Sequence, residues 1–305
     1  MWRKALLVVA AAILTLLVSR PSGQTETYEQ WKLAFGQSFA EVEDSYRRAI
    51  FERNEKEVEE FNNRGESYQK GINQFSHMTD EEFLAMYARP TQPASQTQTQ
   101  DAFVPNMPDI DWVINGKVST VKNQGGCDAG YAFSTTGLLE SYSLITKNTS
   151  TSLADQQLVD CSGSYGTSAC QGGSRAGAMN YVKDKGIAFD SQYPYKGVAQ
   201  TCKLDGGVTK ITGYSQATGC DAIATALRKN PLSIAVDASN WKTYRSGIFS
   251  NCTSKVTQDA LLVGQTTTYW KVKNSWGLSW GEYGYIRLAL GDTCGLCGII
   301  AYWPS

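Results

Sequence analysis

Residues 121–134 read VKNQGGCDAGYAFS and stand where the helical part of the C-terminal region begins. Apolar residues with helical spacing follow over residues 130–146 and recur over 175–185. Four later stretches are short, rich in β-forming residues and mostly bordered by Gly or Asn: residues 232–236, 260–263, 269–273 and 284–288. Helices followed by strands predict an α+β fold in two subdomains, starting near Pro105, where Gly, Tyr, Trp and Cys become frequent.

The N-terminus has the pattern of a secretory signal. Arg3 and Lys4 precede an apolar stretch from Ala5 to Val18 that only Thr15 interrupts. A bilayer span takes about 20 apolar residues, so this stretch is too short. We therefore expect a cleaved signal peptide over residues 1–23, with an uncleaved membrane anchor as the alternative. The protein should then enter the secretory pathway, with an extracellular or lysosomal/vacuolar destination and no membrane association after cleavage.

The overall charge excludes one class of partner. The 305 residues include 28 Lys and Arg and 29 Asp and Glu, which gives a formal charge of −1, and the pI is about 6.0. A nucleic-acid-binding domain ordinarily shows a basic patch and a high pI. We expect no nucleic-acid partner.

All eight cysteines lie beyond residue 120: Cys127, Cys161, Cys170, Cys202, Cys220, Cys252, Cys294 and Cys297. An even number in a chain with a secretory signal predicts disulfides formed in an oxidising compartment. A zinc site is the competing interpretation. The cysteine-bearing region lacks histidine, however, and its spacings do not pair as two CxxC units, so we expect neither a metal nor a cofactor.

The segment before the cysteine-rich region has two parts. Residues 24–89 are charged, and their apolar residues recur largely at helical steps, beginning with Val42, Tyr46, Ile50 and Phe51. Thr79 and Glu82 have the spacing of a capping box, which predicts the start of a short helix. Residues 90–104 form a linker, because its first part, PTQPASQTQTQ, has no apolar side chain large enough to anchor it.

Residues 24–89 resemble cathepsin L-like propeptides. The interspersed ERFNIN signature of that group is matched, with Val in the Ile place, by Glu43, Arg47, Phe51, Asn54, Val58 and Asn62. Gly71, Asn73 and Phe75 match the group's GxNxFxD motif, and His77 takes the place of the Asp. His77 is the only histidine of the chain. The resemblance makes it a propeptide residue with a local structural role, and it should gain charge as the pH falls through about 6.5.

The C-terminal region resembles the papain family of cysteine proteases. The resemblance rests on Asp111-Trp112, VKNQGGCDAGYAFS, LVDCS over residues 158–162, CQGG over 170–173 and KNSWGLSWGEYGYIRL over 273–288. With the propeptide motifs it covers nearly all of residues 28–305. It implies a papain-like domain over residues 105–305, in which a cleft separates a helical subdomain from a β-rich, barrel-like one, with a helical propeptide in front.

The active-site block departs from the family. Papain-like proteases carry C-G-[SA]-C-[WY], with His and Asn about 130–150 residues downstream. Here residues 127–131 read CDAGY, so Gly130 takes the place of the nucleophilic cysteine, and Gln258 takes the place of the histidine. Active relatives use a thiolate that an imidazole activates. Glycine has no side chain, and a glutamine amide neither accepts nor releases a proton near neutral pH. The resemblance therefore implies a pseudoprotease.

The remaining catalytic positions match the family. Gln124 corresponds to the oxyanion-hole side chain, and the backbone N–H of residue 130, at the start of a helix, would be the second donor. Asn274 corresponds to the residue that orients the imidazole, a task that Gln258 removes.

Positions that contact substrate in the family are matched in part. Gly172 and Gly173 correspond to the backbone segment that pairs with extended substrates, and Trp276 corresponds to an indole beside the site. Asp128 and Asp259 replace small residues and add negative charge near the cleft.

The resemblance also implies a disulfide pattern: Cys127–Cys170, Cys161–Cys202 and Cys252–Cys297. Cys220 and Cys294 then remain for a fourth bridge. An exchange of partners among Cys252, Cys294 and Cys297 stays open, because the last two are close in sequence.

These features favour a homologue without peptidase activity that binds peptides, proteins or protease inhibitors through its cleft. Its own propeptide would be an internal partner, and we expect a monomer. One alternative is a hydrolase with another nucleophile, such as Ser134, which lies one helical turn beyond Gly130 but has no base. The other is a structural or storage protein with a vestigial cleft.

Overall fold

The computed structural model describes residues 27–89, 107–252 and 255–305. The expected signal peptide and linker therefore lie outside the described residues. Within those three ranges, no helix is both long enough and apolar enough to cross a bilayer.

Within residues 27–89, the structure contains three helices and a strand: α1 Tyr28–Phe35, α2 Glu41–Asn62, β1 Tyr68–Lys70 and α3 Asp80–Tyr87. The predicted capping box starts α3, since the Thr79 hydroxyl accepts from the N–H of Glu82 at 3.2 Å and the Glu82 carboxylate accepts from the N–H of Thr79 at 2.9 Å. Helices α1 and α2 share a small aromatic core that includes Trp31 and Phe51. The predicted helical propeptide is confirmed.

The apolar pattern of α2 marks a packed face only in the second half of the helix. Val42 is 89% exposed, whereas Ile50 and Phe51 are buried. The signature polar residues instead bind the chain that follows. Asn54, for example, donates to the carbonyls of Ser76 and Met78 at 2.8 and 3.0 Å. This helix therefore holds the segment before α3 through hydrogen bonds as well as through apolar contacts.

The described part of the main domain, residues 107–252 and 255–305, has four α-helices: α4 Gly130–Thr146, α5 Asp155–Cys161, α6 Arg175–Lys185 and α7 Cys220–Leu227. The helices predicted over 130–146 and 175–185 are confirmed. Every residue of α4 from Gly130 to Ser141 is buried, as expected of a helix that lies inside a protein. Its apolar residues pack with α6 and with Leu261 and Val263 of the sheet in one core.

The strands of the main domain are β2 Ile110–Asp111, β3 Tyr214–Ala217, β4 Leu232–Val236, β5 Tyr244–Phe249, β6 Gln258–Gln265, β7 Tyr269–Lys273, β8 Tyr285–Ala289 and β9 Ala301–Pro304. The sheet order is β1-β5-β8-β7-β6-β4-β9-β3, and β2 pairs with β6. Neighbours are antiparallel except β5 and β8. The four predicted strands correspond to β4, β6, β7 and β8. The mixed α+β fold in two subdomains is confirmed.

The register of the sheet brings the predicted site residues together. Strands β6 and β7 are antiparallel, and Leu261 pairs with Lys273. Gln258 at the start of β6 and Asn274 directly after β7 therefore lie at the same end of the sheet. The first turn of α4 packs against this end, because residue 130 faces Gln258 and Asp259.

Four disulfides are present, and the resemblance gave two of them. Cys127–Cys170 and Cys161–Cys202 form as it implies. The other two pairs are Cys220–Cys297 and Cys252–Cys294, so the expected Cys252–Cys297 and Cys220–Cys294 pairs are wrong.

The backbone explains the exchange of partners. Gly219, just before α7, donates its N–H to the carbonyl of Cys297 at 2.8 Å, which places Cys220 beside Cys297. Asp237, directly after β4, donates to the carbonyl of Cys294 at 2.9 Å, and this contact draws Cys294 to the other side of the same turn.

Candidate active-site cleft

The place of the nucleophile is closely packed. A Cβ on residue 130 would lie 3.0 Å from the carbonyl oxygen of Asp259 and 3.0 Å from Oε1 of Gln258. These distances are tighter than most real Cβ contacts, so a side chain here would require the neighbouring atoms to shift by a few tenths of an ångström. Gly130 therefore leaves little room for a thiol, because the first residues of β6 lie directly against it.

The place of the base is held in a fixed amide network. Nε2 of Gln258 donates to Oδ1 of Asn274 at 2.9 Å and to Oε1 of Gln124 at 3.1 Å. All three side chains are buried. The structure thus brings three of the predicted catalytic positions into direct contact. The contact is a chain of neutral amides, none of which gains or loses a proton near neutral pH.

Ser275 completes this network, and the sequence reasoning missed it. Its hydroxyl donates to Oε1 of Gln124 at 2.6 Å, and its backbone N–H donates to Oδ1 of Asn274 at 2.8 Å. Its position directly after Asn274 was the one sequence feature that could have indicated this role. Gln124 in turn donates from Nε2 to the carbonyl of Cys127 at 3.0 Å. One N–H group of the predicted oxyanion donor is therefore committed to its own loop.

Two polar atoms of the network have no partner among the described residues. Oε1 of Gln258 and Nδ2 of Asn274 are both buried without a hydrogen bond. A buried polar atom left unpaired costs about 1–3 kcal/mol. The unpaired Gln258 oxygen faces Gly130. This free-energy cost therefore arises at the position where an active relative would carry its thiol and imidazole.

Trp276 lies beneath the propeptide. Its ring centroid is 5.6 Å from that of Phe75 and 5.3 Å from that of Phe83, and both contacts are edge-to-face. Gln74 donates from Nε2 to the carbonyl of Trp276 at 2.7 Å. The predicted indole beside the site is thus fully covered in the full chain.

The fold itself requires glycine at positions 172 and 173, for a different reason at each. Gly172 has a φ of +91°, a backbone conformation that favours glycine, and its N–H donates to the carbonyl of Asp128 at 3.0 Å. A Cβ on Gly173 would lie 2.9 Å from Cβ of Thr167 and 3.0 Å from the ring of Tyr131. These contacts join the predicted peptide-pairing segment to the loop that precedes α4.

Two aspartates lie near the N-terminus of α4: Asp128 just before it in sequence, and Asp259 beside Gly130. Asp259 forms an ion pair with Nε of Arg175 at 2.9 Å, and burial raises the Asp259 pKa to about 6. Burial and the nearby Asp259 raise the pKa of Asp128 to about 7, against a smaller opposing effect of Arg89. Arg175 was not predicted from the sequence. It opens α6 and follows directly after CQGG and Ser174, which was the only signal.

Ser134, the alternative nucleophile, is inside the helix packing. Its hydroxyl donates to the carbonyl of Tyr131 at 3.2 Å and accepts from the hydroxyl of Ser233 at 3.0 Å. Neither partner is a general base. These contacts give the alternative no support.

His77 lies in the propeptide, about as the sequence predicts, but its charge differs from the expectation. Its ring centroid is 5.1 Å from that of Trp31 and 5.5 Å from that of Phe39. Burial, with a contribution from the Arg47 guanidinium, lowers its pKa to about 4. The expected gain of charge near pH 6.5 is therefore wrong, because burial removes the water that would stabilise the imidazolium.

Comparisons with known proteins agree with this geometry. The profile of the papain family cysteine proteases matches residues 107–302, and that of the cathepsin propeptide inhibitor domain (I29) matches residues 28–83. Cathepsin L 2 of Paramecium tetraurelia is 39% identical over 280 residues, covering 88% of this chain and 89% of the relative. A cathepsin L-like proteinase of Fasciola hepatica is 38% identical over 300 residues, covering 90% and 91%.

A solved structure extends the similarity to the full zymogen. Digestive procathepsin L 3 of Tenebrio molitor superposes with a TM-score of 0.82 at 33% identity, covering 92% of this chain and 100% of that one. Both the propeptide and the two-subdomain domain are included in the match. The chain therefore belongs to the papain family of cysteine proteases, with a cathepsin L-like domain and an I29 propeptide.

Proposed function

We propose that this papain-family homologue is not a peptidase and that its cleft binds extended peptides, protein ligands or protease inhibitors. The observation that carries the proposal is the contact between Gly130 and Gln258, which occupy the predicted nucleophile and base positions. One offers no side chain and the other offers a neutral amide hydrogen-bonded to Asn274 and Gln124.

The chemistry of the family needs both missing groups. A thiolate attacks the carbonyl, and an imidazole first takes the thiol proton and then gives a proton to the leaving amine. In a serine protease, loss of the nucleophile or the base costs about a millionfold in turnover. A loss of the same order here leaves no useful hydrolysis, although Gln124 and the N–H of residue 130 remain at the oxyanion position.

The propeptide supports the binding role, because the main domain holds it through many specific contacts. Strand β1 pairs with β5, and Asn73 donates from Nδ2 to the carbonyl of Lys242 at 2.8 Å. The ammonium of Lys242 forms an ion pair with Asp80. The main domain therefore holds an extended segment of its own chain at β5, and this supports a role in binding extended peptide.

The proposed compartment is the secretory pathway, with an extracellular or lysosomal/vacuolar destination. Four disulfides support it, since such bridges persist in oxidising compartments. The N-terminal pattern supports it as well.

Activity and binding are tested on the same preparation. Purified full chain, and chain freed of its propeptide by an added protease that is then removed, should not cleave fluorogenic peptides or react with a thiol-directed epoxide. Turnover that survives removal of trace proteases and disappears in Ser134→Ala would contradict the proposal. In a pull-down with both forms, recovery of a protease inhibitor or a peptide supports the binding role, whereas recovery of nothing favours a structural or storage role.

A further inference from the structure

The residues directly after α4 carry a motif to which the proposed function gives no role. Asn148-Thr149-Ser150 has the Asn-x-Ser pattern that accepts N-linked glycans. Residues 146–150 are all exposed, as an acceptor segment has to be. The motif occurs often by chance, so its structural setting decides whether it can serve as an acceptor.

Asn148 ends α4 in a left-handed backbone conformation. Its φ is +51°, and asparagine adopts such angles more readily than most residues other than glycine. Its Oδ1 accepts from Nζ of Lys117 at 3.0 Å, and the same ammonium donates to the carbonyl of Leu144 at 3.0 Å. Within residues 27–89, 107–252 and 255–305, Nδ2 of Asn148 donates no hydrogen bond. The oxygen therefore fixes the side chain, while the nitrogen that would carry a glycan is free.

This position is remote from the cleft. Helix α4 runs from Gly130 to Thr146, and a rise of 1.5 Å per residue separates its two ends by about 25 Å. The propeptide approaches the main domain near the first end, where Sδ of Met86 lies 3.5 Å from where a Cβ on Gly126 would be. A glycan on Asn148 would therefore leave the cleft and this propeptide contact undisturbed.

A second motif of the same kind, Asn251-Cys252-Thr253, has a less suitable setting. Cys252 is bridged to Cys294, and the carbonyl of Asn251 accepts from Nδ2 of Asn240 at 3.0 Å. Thr253 lies outside the described residues. The backbone at Asn251 is thus held in a disulfide-linked segment, in contrast to the exposed residues that follow α4.

We propose that Asn148 carries an N-linked glycan. In this modification Nδ2 forms a bond to the anomeric carbon of a lipid-linked oligosaccharide, and the bond from that carbon to the lipid diphosphate breaks. The amide releases one proton, and the lipid diphosphate is the leaving group. The inference rests on the proposed secretory compartment, where such glycans are added. A glycan at this surface is bulky and solubilising.

Mass spectrometry of the full chain, expressed with its own N-terminus in insect cells, tests the site. The denatured chain is treated with peptide-N-glycosidase in H₂¹⁸O, which converts a glycosylated asparagine to ¹⁸O-labelled aspartate, and is then digested. Most chains should carry the label at residue 148. Ser150→Ala removes the acceptor motif but keeps Asn148, so the label should fall to background. Thr149→Ala is the matched control, because the middle position of the motif is variable, and it should leave the label unchanged.

A second form of the chain separates this site from the proposed compartment. It carries a strong secretion signal in place of residues 1–23, so it enters the secretory pathway whatever the native N-terminus does. Label at residue 148 in this form alone would support the site and contradict the proposed signal. Absence of label from this form, in both secreted and cell-retained chains, would overturn the inference. Label that persists in Ser150→Ala would also overturn it, because deamidation would then be its source.

Discussion

Gly130 and Gln258 fit one another: a Cβ on residue 130 would lie 3.0 Å from Oε1 of Gln258 and equally close to the carbonyl of Asp259. The residues at the nucleophile and base positions are therefore linked sterically as well as chemically. A cysteine restored at position 130 alone would be crowded by the Gln258 side chain, which packs against the glycine now present there.

Two glycines of α4 should respond in opposite ways to alanine. Gly130→Ala places a methyl group against backbone and should destabilise the protein by about 1–3 kcal/mol, the usual cost of overpacking. Gly137→Ala meets Leu261 at an ordinary 3.5 Å and should stabilise it by up to about 1 kcal/mol through helix propensity. Urea unfolding of the full chain measures both. Equal stabilisation by the two changes would show that β6 gives way easily at residue 130.

Restoring catalysis should need both positions. Gly130→Cys alone should stay nearly inactive, because the thiol has no base. In Gly130→Cys with Gln258→His, the Asn274 oxygen that now accepts from Gln258 at 2.9 Å is available to orient the imidazole. Measurable cleavage of a fluorogenic peptide should follow once the propeptide is removed.

The repair has two controls. Mass mapping must show that the four native disulfides persist and that the new thiol is free, and the Asp128 and Asp259 carboxylates should be replaced by small residues in a parallel variant. A folded double variant with a free thiol that stays inert even without both aspartates would show that the cleft has diverged beyond its catalytic pair.

The sequence was most informative where a short local motif or a matched family position determines the structure. The capping box at Thr79, the start of α4 at Gly130 and the Cys127–Cys170 bridge follow from local pattern or family resemblance. The pairing of Cys220 could not be predicted, because it depends on a backbone contact between Gly219 and Cys297 across 78 residues. The Arg175–Asp259 ion pair was missed for the same reason.

His77 should make the full chain less stable in mild acid. Its pKa is lowered to about 4, while in the unfolded chain it is about 6.5. Between these values the unfolded state binds a proton that the folded state does not, so stability falls as the pH decreases from about 7 to 4. At pH 5, the loss from this residue should be about 2 kcal/mol.

The comparison of wild type with His77→Asn tests this effect. Unfolding free energies at pH 7.5 and pH 5 should differ less in the variant than in the wild type. Lys185→Gln, a change at an exposed ion pair, is the control and should leave the pH dependence as it is. An unaltered slope in His77→Asn would mean that the imidazole already titrates near its usual pKa.

Maturation should depend on another protease. The proposed loss of the nucleophile and the base predicts that the chain does not cut its own linker over residues 90–104. His77 should stay mostly neutral at pH 5, because its pKa is about 4. Purified zymogen held at pH 4–5 should therefore remain full length, and an added cathepsin should cut it near the linker. Spontaneous, concentration-dependent processing of a protease-free preparation would contradict this prediction.

The pairing of β1 with β5 has a consequence for solubility. Tyr68 to Lys70 of the propeptide cover the outer hydrogen-bonding edge of β5, from Tyr244 to Gly247. Once the propeptide has left, those N–H and C=O groups face solvent as an open strand edge, and such edges promote self-association. Gly247 has a φ of +96°, so the bared edge is irregular and a poorer template for a second strand. If maturation depends on another protease, as predicted above, this edge stays covered until that protease acts.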